Sequence, residues 1–306
     1  MNILFAGTPQ SSANILQYLI SNEPFDVVGV LTQPDKRGQR GNKILESEVS
    51  ALARKNSIPL YKPDDLKNNT KLDELKAVKA DYLIVIAYGK ILPAWLIELP
   101  KICSLNVHFS LLPKYRGASP IQSALLSGDK KTGITFMKIT KELDAGDIIS
   151  AYEIKIKDSD NKIILEERLT SLCIDNISNV LFNTSNGTIL PEQQDHLSAT
   201  YCKKISKKDS LVDFNDKSEN IINKFRAYFE WPGLNFKYNE ILIKIHGLSI
   251  VDKVSTGKPG ELFKIDKSGI YFNTRDRLIV ITHLQFPNKN PISSLDAYNS
   301  HQEFFK

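Results

Sequence analysis

Two side chains suited to acyl chemistry stand two residues apart in the string Ser104-Leu105-Asn106-Val107-His108-Phe109-Ser110-Leu111-Leu112-Pro113. On a β-strand that spacing sends both from the same face. An amide donor beside an imidazole can stabilise an oxyanion and move a proton. The same pair also fits a hydrogen-bonded polar pair at a strand end, and spacing does not separate the two. Pro113 and Gly117 force a loop after the strand, as binding sites on a scaffold require. A second string, Leu143-Asp144-Ala145-Gly146-Asp147, puts carboxylates into a tight loop. By itself D-A-G-D is an ordinary turn. It gains weight as a partner for His108, because a carboxylate fixes a histidine's tautomer and stabilises its protonated form.

The remaining polar strings are less specific. Gly7-Thr8-Pro9 follows an apolar run and opens a helical pattern, but it is not G-x-G-x-x-G and no Walker lysine follows. A tight turn is the expectation there. The loop from Pro34 to Lys43 carries Lys36, Arg37, Arg40 and Lys43 against Asp35 alone, which suits contacts along a phosphate backbone or a solvated surface loop. His196, His246, His283 and His301 have no motif around them and read as structural or surface residues. Cys103, Cys173 and Cys202 form no C-x-x-C pair, so neither a disulfide framework nor a metal site is expected.

The elements that must hold these residues follow from periodicity. Ile3 to Ala6, Val27 to Thr32, Tyr82 to Ala87, Leu105 to Phe109 and Ile134 to Ile139 read as strands. Tyr82 to Ala87 is apolar without alternation, as in a parallel strand covered on both faces. Helical patterns lie between them, and Ser119-Pro120 reads as an N-cap followed by proline at the first helical position. This alternation predicts an α/β class, a Rossmann-like, mostly parallel open sheet with ligands at the carboxyl ends of its strands. The longest helical pattern, from about Lys162 to about Thr184, places Leu165, Leu169, Leu172, Ile177, Val180 and Leu181 on one face. A polar stretch at 190–205 then reads as a linker. After it come one helix, at about Ser218 to Phe229, and a meander of short strands that suggests a small, OB-like β-barrel. The expected domains are therefore 1–189 and 206–306.

Composition limits the class of protein. The chain has 306 residues, 42% apolar and 25% charged, which excludes a disordered, collagen-like or disulfide-dense protein. Lys and Arg number 40 against 35 Asp and Glu, and the net charge of +5 allows a local affinity for an anionic partner. With no leader-like N-terminus and no run of eighteen apolar residues, a cytoplasmic protein is the expectation.

Taken together, F-A-G-T-P, L-T-Q-P-D before a basic loop, A-Y-G-K-I-L-P, N-V-H-x-S-L-L-P-K-Y-R-G-A-S-P-I-Q, L-D-A-G-D and a C-terminal W-P-G resemble the methionyl-tRNA formyltransferases of the folate-dependent formyltransferase superfamily. The resemblance spans essentially the whole chain. It implies transfer of a formyl group from 10-formyltetrahydrofolate to the amino group of initiator methionyl-tRNA for translation initiation, with no metal. It also implies Asn106, His108 and Asp144 as the catalytic trio and Ser110, Leu111, Leu112 and Pro113 as the folate-contacting stretch. Arg40 is implied as a contact to the tRNA acceptor stem, with Lys36, Arg37 and Lys43 of the same basic loop expected to bind tRNA beside it, and the barrel is implied as a tRNA-binding domain. A monomer is expected. The nearest alternative within the superfamily acts on a sugar amine and can carry a similar second domain. Three departures from the family pattern stand out: Phe109 in place of a small residue, Asn42 in place of a frequent lysine, and Glu230 where a proline commonly precedes W-P.

Overall fold

The computed structural model describes residues 1–37, 44–66 and 72–305. The described residues fall into two compact units. The first comprises Met1–Pro120, Lys131–Lys155 and Glu166–Lys203. The second comprises Ile121–Lys130, Ile156–Leu165 and Lys204–Lys306.

In chain order the first half carries β1 (Asn2–Gly7), α1 (Gln10–Ser21), β2 (Asp26–Leu31), β3 (Lys36–Arg37), β4 (Ile44–Leu45), α2 (Glu48–Lys55), β5 (Leu60–Tyr61) and α3 (Asp73–Lys76). It continues with β6 (Tyr82–Ile86), α4 (Ala94–Ile97), β7 (Cys103–His108), β8 (Arg116–Gly117), α5 (Pro120–Leu126), β9 (Lys131–Lys138), β10 (Ile148–Lys155), α6 (Lys162–Ser185) and β11 (Tyr201–Cys202). Seven of the strands form one sheet in the order β10-β9-β7-β6-β1-β2-β5. The pairs from β5 to β7 are parallel, and β9 and β10 join antiparallel beyond β7. Strand order runs outward from β1 to β5 and then returns to place β6 on the other side of β1. The reversal between β1 and β6 is the position where open α/β sheets hold their ligands.

All five residues of β6 are buried, as expected of an apolar run covered on both faces. The turn after β1 is tight: a Cβ at Gly7 would lie 2.7 Å from the Ser12 Cβ and 3.0 Å from the Ile86 carbonyl oxygen. Helix α6 buries Leu165, Leu169, Cys173, Ile177, Val180 and Leu181. Cys173, one residue past the expected Leu172, completes the four-residue spacing, and Leu172 itself is half-buried.

The stretch expected as a linker is packed chain up to Lys203, and this corrects the 190–205 boundary. Glu192 and Ile148 exchange backbone hydrogen bonds of 2.8 Å in both directions. Gln194 is buried, and β11 pairs in parallel with β8. Most polar side chains of this segment are exposed, but Gln194 is polar because it satisfies buried groups, and local patterning does not distinguish the two.

The second unit contains α7 (Ser218–Ala227), β12 (Leu234–Tyr238), β13 (Ile241–Val254), β14 (Leu262–Asp266), β15 (Gly269–Asn273), β16 (Arg277–Gln285), β17 (Ile292–Ser293) and α8 (Ser294–His301). Its antiparallel sheet runs β12-β13-β16-β15-β14, with β17 added to β16. Strand β13 is 14 residues long, and its register against β16 shifts on either side of Gly247. A Cβ at Gly247 would lie 2.3 Å from the Thr282 hydroxyl, so glycine permits the close approach at which the strand bends. Ile243, Ile270, Phe236 and Phe272 fill the core inside the bend, with the two phenylalanine rings 5.2 Å apart in an edge-to-face contact.

Candidate active site

Three loops at the carboxyl ends of β1, β2 and β6 meet at one backbone carbonyl. The Thr8 hydroxyl donates to the Tyr88 carbonyl oxygen at 3.1 Å and the Gln33 side-chain amide donates to the same atom at 2.8 Å. Tyr88 follows Ala87, whose φ of 47° is left-handed, and precedes Gly89, where a Cβ would lie 2.5 Å from the Gln33 Nε2. The strings around Gly7-Thr8-Pro9, Gln33 and Tyr88-Gly89 therefore make one knot at the ligand edge of the sheet. The Tyr88 ring is buried, which pushes its hydroxyl up to about 12.

Strand β7 ends at His108 beside this edge. Asn106 pairs with Val85 of β6 and Met137 of β9, and His108 pairs with Thr135, so the two side chains leave the same face as the spacing predicts. Asn106 is half-buried and its amide makes no hydrogen bond among the described residues, which leaves it open to an external acceptor. His108 is only 5% exposed. Its Nε2 lies 2.8 Å from the Tyr115 carbonyl oxygen, and a carbonyl only accepts, so Nε2 carries the proton. In the neutral ring Nδ1 is then an unprotonated acceptor, and it faces the Asp144 carboxylate at 3.7 Å. Burial pushes the ring below the usual histidine value; the Asp144 charge and the bond to Tyr115 pull the other way.

Asp144 sits in the loop between β9 and β10 with a left-handed φ of 50°. The Gly117 N–H donates to its Oδ2 at 2.8 Å, which aims the carboxylate at the imidazole. Gly146 makes the turn possible: a Cβ there would lie 1.8 Å from the Lys138 carbonyl oxygen.

The Ser110 to Pro113 stretch forms the wall after β7. Thr135, fully buried, donates to the Ser110 carbonyl at 2.7 Å and accepts from the Leu112 N–H at 3.1 Å. The Ser110 hydroxyl donates to the Lys114 carbonyl at 2.6 Å, so it braces the loop from within. Leu111 and Pro113 are half-buried, while Leu112 and Phe109 are buried.

Of the basic residues, Lys36 is exposed on β3, whose two residues pair with β4 in the register Lys36 to Leu45 and Arg37 to Ile44. Asp35 is matched by Lys62 at 2.7 Å. Arg40 and Lys43 lie outside the described residues. Sequence reasoning missed Gln194, Thr135 and Arg116 as parts of the site. Arg116 stood inside the quoted string, and the signal available was a cation with no carboxylate near it in sequence.

The family model for formyl transferases matches residues 1–181, and that for the formyl transferase C-terminal domain matches residues 204–302. A methionyl-tRNA formyltransferase of a Sulfurihydrogenibium species is 40% identical over 304 residues, which is 99% of this chain and 97% of that protein. One of Thermotoga maritima is 40% identical over 299 residues, covering 98% of this chain and 95% of the relative. Among solved structures, the fold is shared with an N-formyltransferase from Helicobacter canadensis bound to folinic acid and dTDP-3-aminofucose, at TM-score 0.68 and 22% identity over 91% of this chain and 98% of that one. With both domains matched and relatives aligned end to end, the chain belongs to the methionyl-tRNA formyltransferase family of formyl transferases.

Proposed function

We propose that this chain moves the formyl group of 10-formyltetrahydrofolate to the free amino group of initiator methionyl-tRNA, with Asn106, His108 and Asp144 as the catalytic residues. The observation that carries this reading is the His108 ring, whose Nε2–H is held by Tyr115 and whose free Nδ1 faces the Asp144 carboxylate. The open Asn106 amide stands on the same strand face and fits a formyl oxygen. Asn106 donates to that oxygen as negative charge develops on it when the neutral methionyl amine attacks the formyl carbon. His108 Nδ1 takes the proton that the new C–N bond forces from the amine, directly or through a water beside Asp144. Asp144 stabilises the resulting imidazolium, whose Nδ1–H then adds to the oxyanion contacts. The same proton passes to N10 as the C–N10 bond breaks, so N10 of tetrahydrofolate leaves as a neutral amine and His108 returns to its starting tautomer.

Leu111 and Pro113 would line the folate subsite, and Ser110 and Leu112 would shape it from behind. Lys36, Arg37, Arg40 and Lys43 would grip acceptor-stem phosphates, with the bent C-terminal sheet, taken as OB-like, adding a second contact. We take the protein to act as a cytoplasmic monomer. No helix among the described residues is long and apolar enough to cross a membrane. The sugar-amine alternative is not favoured, because the relatives aligned end to end at 40% identity carry the tRNA name.

The direct test incubates the protein with 10-formyltetrahydrofolate and charged initiator tRNA and looks for formylmethionine. Absence of product at saturating substrates refutes the assignment. Neutralising Lys36, Arg37, Arg40 and Lys43 together should raise KM for tRNA and flatten its salt dependence.

A further inference from the structure

Arg116 is a buried cation, 2% exposed, and makes no ion pair with a carboxylate among the described residues. Its Nε and Nη2 both donate to the Gln194 Oε1, at 3.0 and 2.7 Å. Nη1 donates to the Tyr201 hydroxyl at 3.3 Å, and Nη2 also lies 3.2 Å from His196 Nδ1. A guanidinium has only donors, so it fixes which end of the Gln194 amide faces it. The Gln194 Nε2 must then point the other way, and it donates to the carbonyl oxygens of Asp144 at 3.0 Å and Gly146 at 2.7 Å. These two carbonyls bracket the left-handed turn that presents the Asp144 carboxylate. On the other side of the turn Gly117, the residue after Arg116, donates its N–H to the Asp144 Oδ2 at 2.8 Å.

We propose that Gln194, oriented by the buried Arg116 guanidinium, is a positioning residue that holds the Asp144 carboxylate against His108. The proposal rests on the assignment of Asp144 to the catalytic trio. It gives the segment from Glu192 to Cys202 a part in the reaction, because that segment carries the group that locks the Asp144 turn. A glutamine is required at this position: one end must accept from a cation while the other donates to two carbonyls, and neither a carboxylate nor an aliphatic side chain does both.

The test is Gln194→Glu, which keeps an acceptor for Arg116 but turns an oxygen toward the two carbonyls. Misplacing a reacting group by about 1 Å lowers rates by about 100-fold. Accordingly kcat should fall about 10- to 100-fold in formyl transfer, with KM for tRNA and folate changed by less than about threefold. The Gly117 amide, whose partner is the Asp144 carboxylate, should exchange with solvent at least about tenfold faster, while strands β1 and β6 keep their protection. If Gln194→Glu does not fold, Gln194→Asn, one methylene too short to reach both carbonyls, is judged by the same readouts. A folded variant with kcat within twofold of the parent overturns the proposal. So does one that loses kcat with Gly117 exchange unchanged, because Gln194 would then act by another route. If the parent protein forms no formylmethionine the catalytic reading fails separately, and unchanged Gly117 exchange in the variants still rejects the clamp.

Discussion

Replacing Asp144 with asparagine removes one negative charge and leaves the shape of the site nearly intact. The amide oxygen can still accept from the Gly117 N–H, which now reaches the Asp144 Oδ2 at 2.8 Å. What is lost is the field of a carboxylate 3.7 Å from His108 Nδ1, with the two side chains only 13% and 6% exposed. Opposite unit charges about 4 Å apart attract by about 4 kcal/mol at an effective dielectric near 20, and by about 1 kcal/mol in bulk water. Burial of both groups places this pair toward the larger figure, and each 1.36 kcal/mol is about tenfold in rate. The imidazolium that forms when Nδ1 takes the amine proton should therefore be harder to reach, and kcat should fall by about 100- to 1,000-fold. Substrate binding should change little, so KM for either substrate stays within about threefold. Replacing the charged acceptor of one hydrogen bond by a neutral one costs about 1 kcal/mol, or about 2 °C in Tm for a protein of this size. The assay is single-turnover formation of formylmethionine, paired with thermal unfolding of the same preparation. A folded variant with kcat within about fivefold of the parent would refute the charge argument.

Asn106→Ala should lower kcat by about 100- to 1,000-fold, the usual loss for one oxyanion donor, while moving Tm by no more than about 2 °C because the amide has no protein partner among the described residues to abandon. A large loss of Tm at unchanged kcat would make it a structural amide. Burial holds the His108 ring below the usual histidine value, so the native state binds the proton less readily than the unfolded chain. The stability contributed by the neutral ring is whole above about pH 6.5, the unperturbed histidine value, and is lost as pH falls from there toward the native value. Imidazole NMR should show the ring titrating below the unperturbed histidine value; titration above it contradicts burial as the governing cause. Gly146→Ala should destabilise the protein by about 1–3 kcal/mol, since a Cβ there would lie 1.8 Å from the Lys138 carbonyl oxygen, and should reduce kcat by displacing the Asp144 turn. Chemical denaturation and the formyl-transfer assay measure the two effects, and a variant with parental values in both shows that the turn tolerates a side chain.

What the sequence revealed and what it hid divide along one physical line. Hydrophobic period reports whether a stretch is covered and on which side, so β6 and the α6 stripe were legible, the end of β7 fell one residue before the expected Phe109, and Cys173 departs from the expected set by a single position. The spacing of Asn106 and His108 gave their shared face because strand geometry is local. The pairing of His108 with Asp144 is not local, and it became legible only because a carboxylate loop is the kind of partner a histidine needs. Gln194 offered no such cue. It lies 78 residues from Arg116 in sequence, and an amide is equally at home in water and in a buried network. Periodicity therefore assigned its segment to a linker, whereas the fold uses that segment to satisfy a buried cation and two carbonyls of the Asp144 turn. An unsatisfied buried polar group costs about 1–3 kcal/mol, and a charged one more, so a sheet edge that keeps an arginine under cover must recruit polar side chains from somewhere. Here they arrive from beyond the longest helix. Composition marks such a segment as polar, and only the contacts show that Gln194 within it faces inward.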